Sequence, residues 1–434
     1  MLIRSQLLLA FCLIFCLSSC GDDKGGTTNG GKSGSKVLDF HYSTADIVAP
    51  PAQAGPSSRL PVDIYLDATL SMKGFSRPQT TNFSSLLDGI EAAVQNAAKS
   101  SDLRFFKYGR SVARIERATF VAARHSQELW EDKGFRSETD FAQAVDSTDP
   151  GRVSIFITDL FYSNADANKV VSAIQERCFK KGIEMGIMGL KSDYDGYVAD
   201  VQPPVKVVGD RPLYLLVFGS KANISLIFSA FKNQPYVQAD QALLLTRYPV
   251  KSFTVSAAKA KDSKAINVSS ARSKFADLGN VFAFSWKPEK GDHATVDYTI
   301  GYVLEPYALP INAASIKAHI FRKDQAAKDS VADDQSLSLV PTNVGAGKIE
   351  GKAQTTLKLP EESFSAYQVT WQYDNLGKVE LPTWITANST QDFRKGSDEN
   401  KTLGLDNFVR SLAVSSATQL EPKYGRMYLV FIRK

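Results

Sequence analysis

Hydrophobic positions between residues 61 and 240 follow two alternating patterns. Short apolar runs have strand length and strand composition: "PVDIYLDA" at 61–68, "DLRFFKYG" at 102–109, "RVSIFITDLF" at 152–161, "IEMGIMGL" at 183–190 and "RPLYLLVFG" at 211–219. Helical spacing lies between them. In "NFSSLLDGIEAAVQNAAK" (82–99), Phe83, Leu86, Leu87, Ile90 and Val94 fall on one face. "TDFAQAV" reads as a short helix start, "ADANKVVSAIQERCFKKG" as a helix with Gly182 at its C-terminal cap, and "KANISLIFSAFKN" as a closing helix. Strands alternating with helices predict an open, mostly parallel sheet covered on both faces.

Beyond residue 240 the period changes. "SFTVSAA", "NVFAFSW", "ATVDYTIGYVL", "SIKAHIF", "SLSLVP", "TTLKLP" and "AYQVTWQY" are short strands broken by Gly, Pro, Asp and Lys. They predict an antiparallel, sandwich-like or barrel-like domain over 241–434. One late helix is expected at 404–416, with Leu405, Phe408, Val409 and Leu412 at helical spacing, before a last strand in "MYLVFIRK".

The N-terminus has its own pattern. "MLIRSQ" precedes the apolar "LLLAFCLIFCL", which is too short to span a bilayer comfortably, and then "LSSC". This resembles a bacterial lipobox. It implies a signal peptide over 1–19 and lipidation at Cys20, with acyl chains contributing about 0.8 kcal/mol per buried CH₂ to anchoring. Residues 20–60 read as lipidated Cys, flexible tether and extended lead-in. The tether "GDDKGGTTNGGKSGSK" has no apolar side chain to bury and a span of roughly 20–25 Å. Gly21, where Asp would favour the inner membrane, points to the outer membrane of a bacterial envelope.

Composition bounds the chemistry. The 434 residues are 43% apolar and 22% charged, with net charge +5. Basic residues are scattered, so nothing marks a nucleic-acid surface. Cys12 and Cys16 would leave with the signal, and Cys20 would be acylated. Cys178 then stands alone, without a disulfide partner, and reads as a small buried hydrophobe. His41, His125, His293 and His319 show no metal-ligand or triad spacing, and neither a G-x-S-x-G elbow nor a P-loop occurs. Trp286, Trp371 and Trp384 are expected in the core rather than on a sugar-stacking face. In "KSDYDGYVADV", Asp193, Asp195 and Asp200 suggest an acidic turn or a connection over the ligand edge, with a calcium loop as the lesser alternative.

Three motifs carry a family resemblance over residues 61–233. "DATLSM" gives D-x-[ST]-x-S-M at Asp67, Thr69, Ser71 and Met72; Thr139-Asp140 opens a helix; "ITD" ends a strand at Asp159. In that order they resemble the von Willebrand factor A-type (vWA) domain, a Rossmann-type fold, in which they form a metal-ion-dependent adhesion site. The resemblance implies Mg²⁺ (or Mn²⁺) held by the Thr69, Ser71 and Thr139 hydroxyls. Asp67 and Asp159 would orient hydroxyls and waters. An ion with mostly neutral ligands keeps a position for a carboxylate from another protein, which implies non-covalent, metal-bridged binding and no enzyme activity. Two features depart from the pattern. Leu160 stands where the family often has Gly. The interval from Thr139 to Asp159 is short, which leaves the reach of Thr139 open. Two rival readings remain: a metal-free structural subunit of an envelope assembly, and a phosphohydrolase using Asp67 as nucleophile, whose usual second carboxylate is replaced by Thr69.

Overall fold

The computed structural model describes residues 60–434 apart from 79, 99–101, 137–138, 161–163, 199–203, 261–263, 267–279, 288–290, 324–330, 346, 360–363, 374–377, 394–397 and 423. The signal segment, Cys20 and the tether therefore lie outside the described residues. All described residues belong to one compact unit. No helix among them is long and apolar enough to cross a membrane.

The first layer is a seven-stranded sheet. Its elements are β1 (Val62–Asp67), α1 (Asn82–Ala98), β2 (Leu103–Tyr108), β3 (Val112–Ile115), α2 (Arg117–Ala122), α3 (Glu128–Glu131), α4 (Phe141–Asp146), β4 (Val153–Thr158), α5 (Asn164–Arg177), β5 (Glu184–Val198), β6 (Val205–Gly219), α6 (Lys221–Lys232) and β7 (Val237–Leu245). The strand order is β3-β2-β1-β4-β6-β5-β7. β1 pairs in parallel with β2 and with β4, whereas β3, β6, β5 and β7 join antiparallel.

The sheet is thus mixed, where a mostly parallel one was expected. Its cause is the absence of a crossover between β5 and β6. Both strands run for 15 residues and form one long hairpin. The stretch read as an acidic turn, "SDYDGYV", is the far half of β5. Ser192, Tyr194, Gly196 and Val198 are buried there, and Asp193 and Tyr197 are exposed. An extended ladder cannot wrap its carboxylates around calcium. Asp195 instead lies 3.9 Å from Arg77 and 3.4 Å from Lys206; Asp200 is outside the described residues.

Both faces of the sheet are covered, which is why β1 and β4 are buried along their whole length. Val62, Ile64 and Leu66 share one core with Phe83, Leu86, Leu87, Ile90 and Val94 of α1 and with Ile224, Ile227 and Phe231 of α6. The opposite face carries a row of rings across the strands. Tyr65 stacks on Phe106 at 4.7 Å and on Phe156 at 4.4 Å, and Phe156 meets Phe218 edge-on at 5.6 Å. At its lower end the buried Asp63 holds Arg104 at 2.5 Å and Arg152 at 2.6 Å.

The second layer pair is a β-sandwich. Its strands are β8 (Val250–Ala260), β9 (Lys264–Ile266), β10 (Val281–Trp286), β11 (His293–Leu304), β12 (Ile316–Lys323), β13 (Val331–Ser338), β14 (Val340–Gly345), β15 (Lys348–Lys358), β16 (Phe364–Tyr373) and β19 (Gly425–Arg433). One sheet runs β13-β12-β16-β19-β10-β9 and the other β14-β15-β11-β8. β15 alternates strictly between exposed and buried, as a strand with one wet face must. Trp286 and Trp371 lie in the core between the sheets.

Before the last strand the chain returns to the α/β sheet. α7 (Thr383–Ala387), a two-stranded parallel bridge of β17 (Ser389–Thr390) and β18 (Thr402–Leu403), and α8 (Leu405–Leu420) cover the ring-lined face. Trp384, Ile385, Leu405, Phe408, Val409 and Leu412 join Tyr65, Phe156, Ile174 and Cys178 in one core. Residues beyond 240 therefore contribute to both cores.

Candidate functional site

In an open sheet, ligands bind beyond the carboxyl ends of parallel strands, where the strand order reverses. Here the chain leaves β1 for β2 on one side and then enters β4 on the other, so that point lies between β1 and β4. Asp67 ends β1 and Asp159 directly follows β4.

Asp67 is fully buried. Its Oδ1 accepts the Thr69 backbone N–H at 3.0 Å and the Thr69 hydroxyl at 2.7 Å. Its Oδ2 accepts the Thr158 hydroxyl at 2.9 Å. Thr69 thus gives its proton to Asp67 and presents its remaining oxygen lone pairs to its other neighbours. Ser71 Oγ is 3.1 Å from Thr69 Oγ1, and the Thr139 hydroxyl donates to the same oxygen at 3.4 Å. All three hydroxyls singled out in the sequence therefore gather at one point, Thr139 included. Cys20 lies outside the described residues.

Several loops shape this cluster. Ala68 N–H donates to Tyr108 O at 2.7 Å, and Asp140 N–H donates to Gly109 O at 3.0 Å. A Cβ on Gly109 would fall inside the contact radius of Phe135 O, so only glycine permits this approach. The Asp140 side chain turns away from the cluster. It caps α4 by accepting Gln143 N–H at 3.0 Å and pairs with Lys169 at 3.0 Å. Met72 is buried in the core beneath the loop.

Leu160 adopts φ +54°. It thus keeps the left-handed backbone that glycine would adopt freely, at a cost of about 1–2 kcal/mol for a side-chain-bearing residue. Two features hold it: its N–H donates to Thr158 Oγ1 at 3.1 Å, and its side chain is buried among the rings of the sheet. Thr158 therefore ties the turn after β4 to Asp67.

The electrostatics point the same way. Burial first, and then the charge of nearby Asp159, push Asp67 up from 3.8 to about 7, against the opposing hydrogen bonds from Thr69 and Thr158. Two buried carboxylates whose charges oppose each other are eased by a proton or a cation. The donors present are carboxylate and hydroxyl oxygens, the hard ligand set that suits Mg²⁺ or Mn²⁺. Among the described residues there is no cluster of three or more His, Cys, Asp or Glu placed to hold a metal ion. Two carboxylates and three hydroxyls form the group here.

Sequence reasoning overlooked Thr158, Gly109 and Tyr194. Thr158 was legible as part of "ITD", and Gly109 as a glycine at a strand end. Tyr194 was hidden inside a segment read as a turn. Compared with known protein families, with curated proteins and with solved structures, the chain finds no match.

Proposed function

We propose that this protein is a vWA-type binding domain that captures a protein partner through a Mg²⁺ or Mn²⁺ ion at the carboxyl edge of its α/β sheet. Thr69, Ser71 and Thr139 would hold the ion, with Asp67 and Asp159 orienting hydroxyls and waters. The ion supplies a positive centre for a carboxylate of the partner. The observation that carries this reading is the convergence of the Ser71 and Thr139 hydroxyls on Thr69 Oγ1, at 3.1 and 3.4 Å, above a buried carboxylate that accepts the Thr69 hydroxyl hydrogen bond. The N-terminal "LSSC" supports a lipid anchor at Cys20 and an outer-membrane address in a bacterial envelope.

The same geometry weighs against Asp67 as a nucleophile. Both of its oxygens are hydrogen-bonded and it has no exposed surface, so neither oxygen is open to a substrate phosphorus. The test is thermal unfolding of residues 37–434 in Mg²⁺ or Mn²⁺ against chelator. A folded-state ligand raises the midpoint. The wild type should gain stability with the ion, and Thr69→Val and Asp67→Ala should not. An unchanged wild-type midpoint would favour the metal-free scaffold. Turnover of a phosphate ester that disappears in Asp67→Ala would favour the hydrolase.

A further inference from the structure

The loop at 67–71 is not held by β1 alone. Met72 N–H donates to Thr69 O at 3.2 Å and Lys73 N–H to Leu70 O at 3.2 Å, so the loop runs straight into the 3₁₀ turn Met72–Ser76. That turn is clamped by the β5–β6 hairpin. A Cβ on Gly74 would fall inside the Tyr194 ring. A Cβ on Gly196 would sit 2.7 Å from Tyr194 Cζ and 2.9 Å from Gly74 Cα. Phe75 meets the Tyr194 ring edge-on at 4.9 Å, and Tyr194 Oη donates to Tyr197 O at 3.0 Å. On the strand side, Arg77 Nη1 donates to Asp195 O at 3.2 Å.

Arg211 lies behind Tyr194. Only 1% of it is exposed, which is unusual for a guanidinium. It stands 5.3 Å from the centre of the Tyr194 ring and 5.9 Å from that of Phe393, and its Nη1 donates to Glu399 O at 3.1 Å. Its Nε finds no hydrogen-bond acceptor among the described residues. Burying a cation against two rings and one carbonyl is a poor device for stability alone, because an apolar side chain would avoid the desolvation cost. What Arg211 achieves is connection. Phe393 and Glu399 belong to the returning segment between β17 and β18, and Tyr194 belongs to the clamp. The same segment touches the other side of the site: Thr402 Oγ1 lies 2.9 Å from Tyr214 Oη, and Tyr214 pairs with Thr158 in the ladder.

We propose that Tyr194 and Arg211 are positioning residues that hold the hydroxyl loop in its ligand arrangement, and that Arg211 makes cation affinity depend on Phe393 and Glu399 of the returning chain. This rests on the metal reading above. The test is Mn²⁺ titration of the purified full chain by calorimetry, beside its thermal midpoint in chelator. The variants are Arg211→Met, Tyr194→Leu, Phe393→Ala and Tyr194→Phe, with Val296→Ala in the distant sandwich core as a stability control. Loss of a group that orients a ligand costs about 10–100-fold in metal affinity, which is expected for Arg211→Met and Tyr194→Leu, while Tyr194→Phe and Val296→Ala stay within about twofold of wild type. Phe393→Ala weakens binding in the same direction. Should Arg211→Met not fold, Arg211→Lys retains the charge without the planar stack and is expected to weaken binding too. Wild-type affinity in the Arg211 and Tyr194→Leu variants overturns the proposal, as does an equal loss in Val296→Ala. A wild type that takes up no Mn²⁺ overturns the metal reading, and the positioning role with it.

Discussion

Replacing Asp67 by Asn removes a charge and keeps the shape. Asn can still accept the Thr69 N–H and hydroxyl at Oδ1, the bonds that now measure 3.0 and 2.7 Å. What disappears is an ionised carboxylate beside Asp159 in a fully buried place. In the unfolded chain an aspartate titrates near 3.8, and in the fold Asp67 titrates at about 7. The folded state therefore holds its proton more tightly. Stability from this residue is intact below the unfolded value, falls as pH rises from about 4 to about 7, and is level above that. At about 1.4 kcal/mol for each tenfold change in proton affinity, the whole span amounts to about 4 kcal/mol, of which roughly 3 kcal/mol falls above pH 5. In chelator, the midpoint of wild type relative to Asp67→Asn should drop by roughly 3–4 °C between pH 5 and pH 8. The difference between the two proteins cancels the titration of groups that do not interact with Asp67 and isolates the pair it forms with Asp159. Saturating Mg²⁺ at pH 8 should restore the wild type and leave the variant unmoved. A wild-type midpoint that runs parallel to that of the variant from pH 5 to pH 8 would refute the reasoning, since Asp67 would then hold no extra proton in the folded state.

Three further outcomes follow from packing. Gly109→Ala places a methyl against the Phe135 carbonyl and should cost about 1–3 kcal/mol in urea unfolding, with Mn²⁺ binding weakened because the Thr139 loop shifts. Asp63→Ala removes one of the two carboxylates that hold Arg152, at 2.6 Å, and leaves Asp102 as the other, so it should destabilise by about 1–3 kcal/mol without changing ion affinity relative to stability. Cys178 is buried and its thiol is pushed up to about 12, so an aromatic disulfide reagent at pH 8 should label residues 37–434 only after unfolding; rapid labelling of the folded chain would contradict the burial.

Helices were the most legible part of the sequence, because burial on one face writes a 3.6-residue period that nothing else imitates. Phe83, Leu86, Leu87, Ile90 and Val94 all reach the core, and so do Val170, Ile174 and Cys178. Gly182 does take a left-handed conformation, at φ +76°, but it caps the 3₁₀ turn Phe179–Lys181, because α5 has already ended at Arg177. The grouping of Asp67, Thr69, Ser71 and Thr139 was legible because such residue types in that order are unusual at strand ends. Strand direction was not legible. The run "RPLYLLVFG" is apolar whether its neighbour is parallel or antiparallel, and the deciding feature was the chain between 191 and 198. There, Ser192, Tyr194, Gly196 and Val198 face inward with a period of two, a strand signal masked by three aspartates, of which Asp193 and Asp195 point outward and Asp200 lies outside the described residues. The return of α7, β17, β18 and α8 to the first sheet was equally hidden. α8 announces an apolar face through Leu405, Phe408, Val409 and Leu412, but a periodic face does not say which of two cores it meets. Leu160 is the instructive exception. Its identity argues against a left-handed turn, and tertiary contacts impose one anyway.

The place of β19 in the sandwich has a consequence for the birth of the protein. Gly425–Arg433 is not an edge strand. It lies between β16, which it meets antiparallel, and β10, which it meets in parallel, with Val281 opposite Tyr428 and Phe364 opposite Ile432. Until those nine residues have been synthesised, β10 and β16 have no strand between them, and each exposes an unpaired backbone edge. The α/β sheet has all seven of its strands much earlier, by residue 245. A chain emerging from the ribosome, or threading through a translocation channel, would thus carry a strand-complete first layer ahead of an open sandwich. A chaperone that shields sheet edges would be needed most during the last moments of synthesis, and a stop codon shortly before position 425 should yield an aggregating chain rather than a shortened functional one.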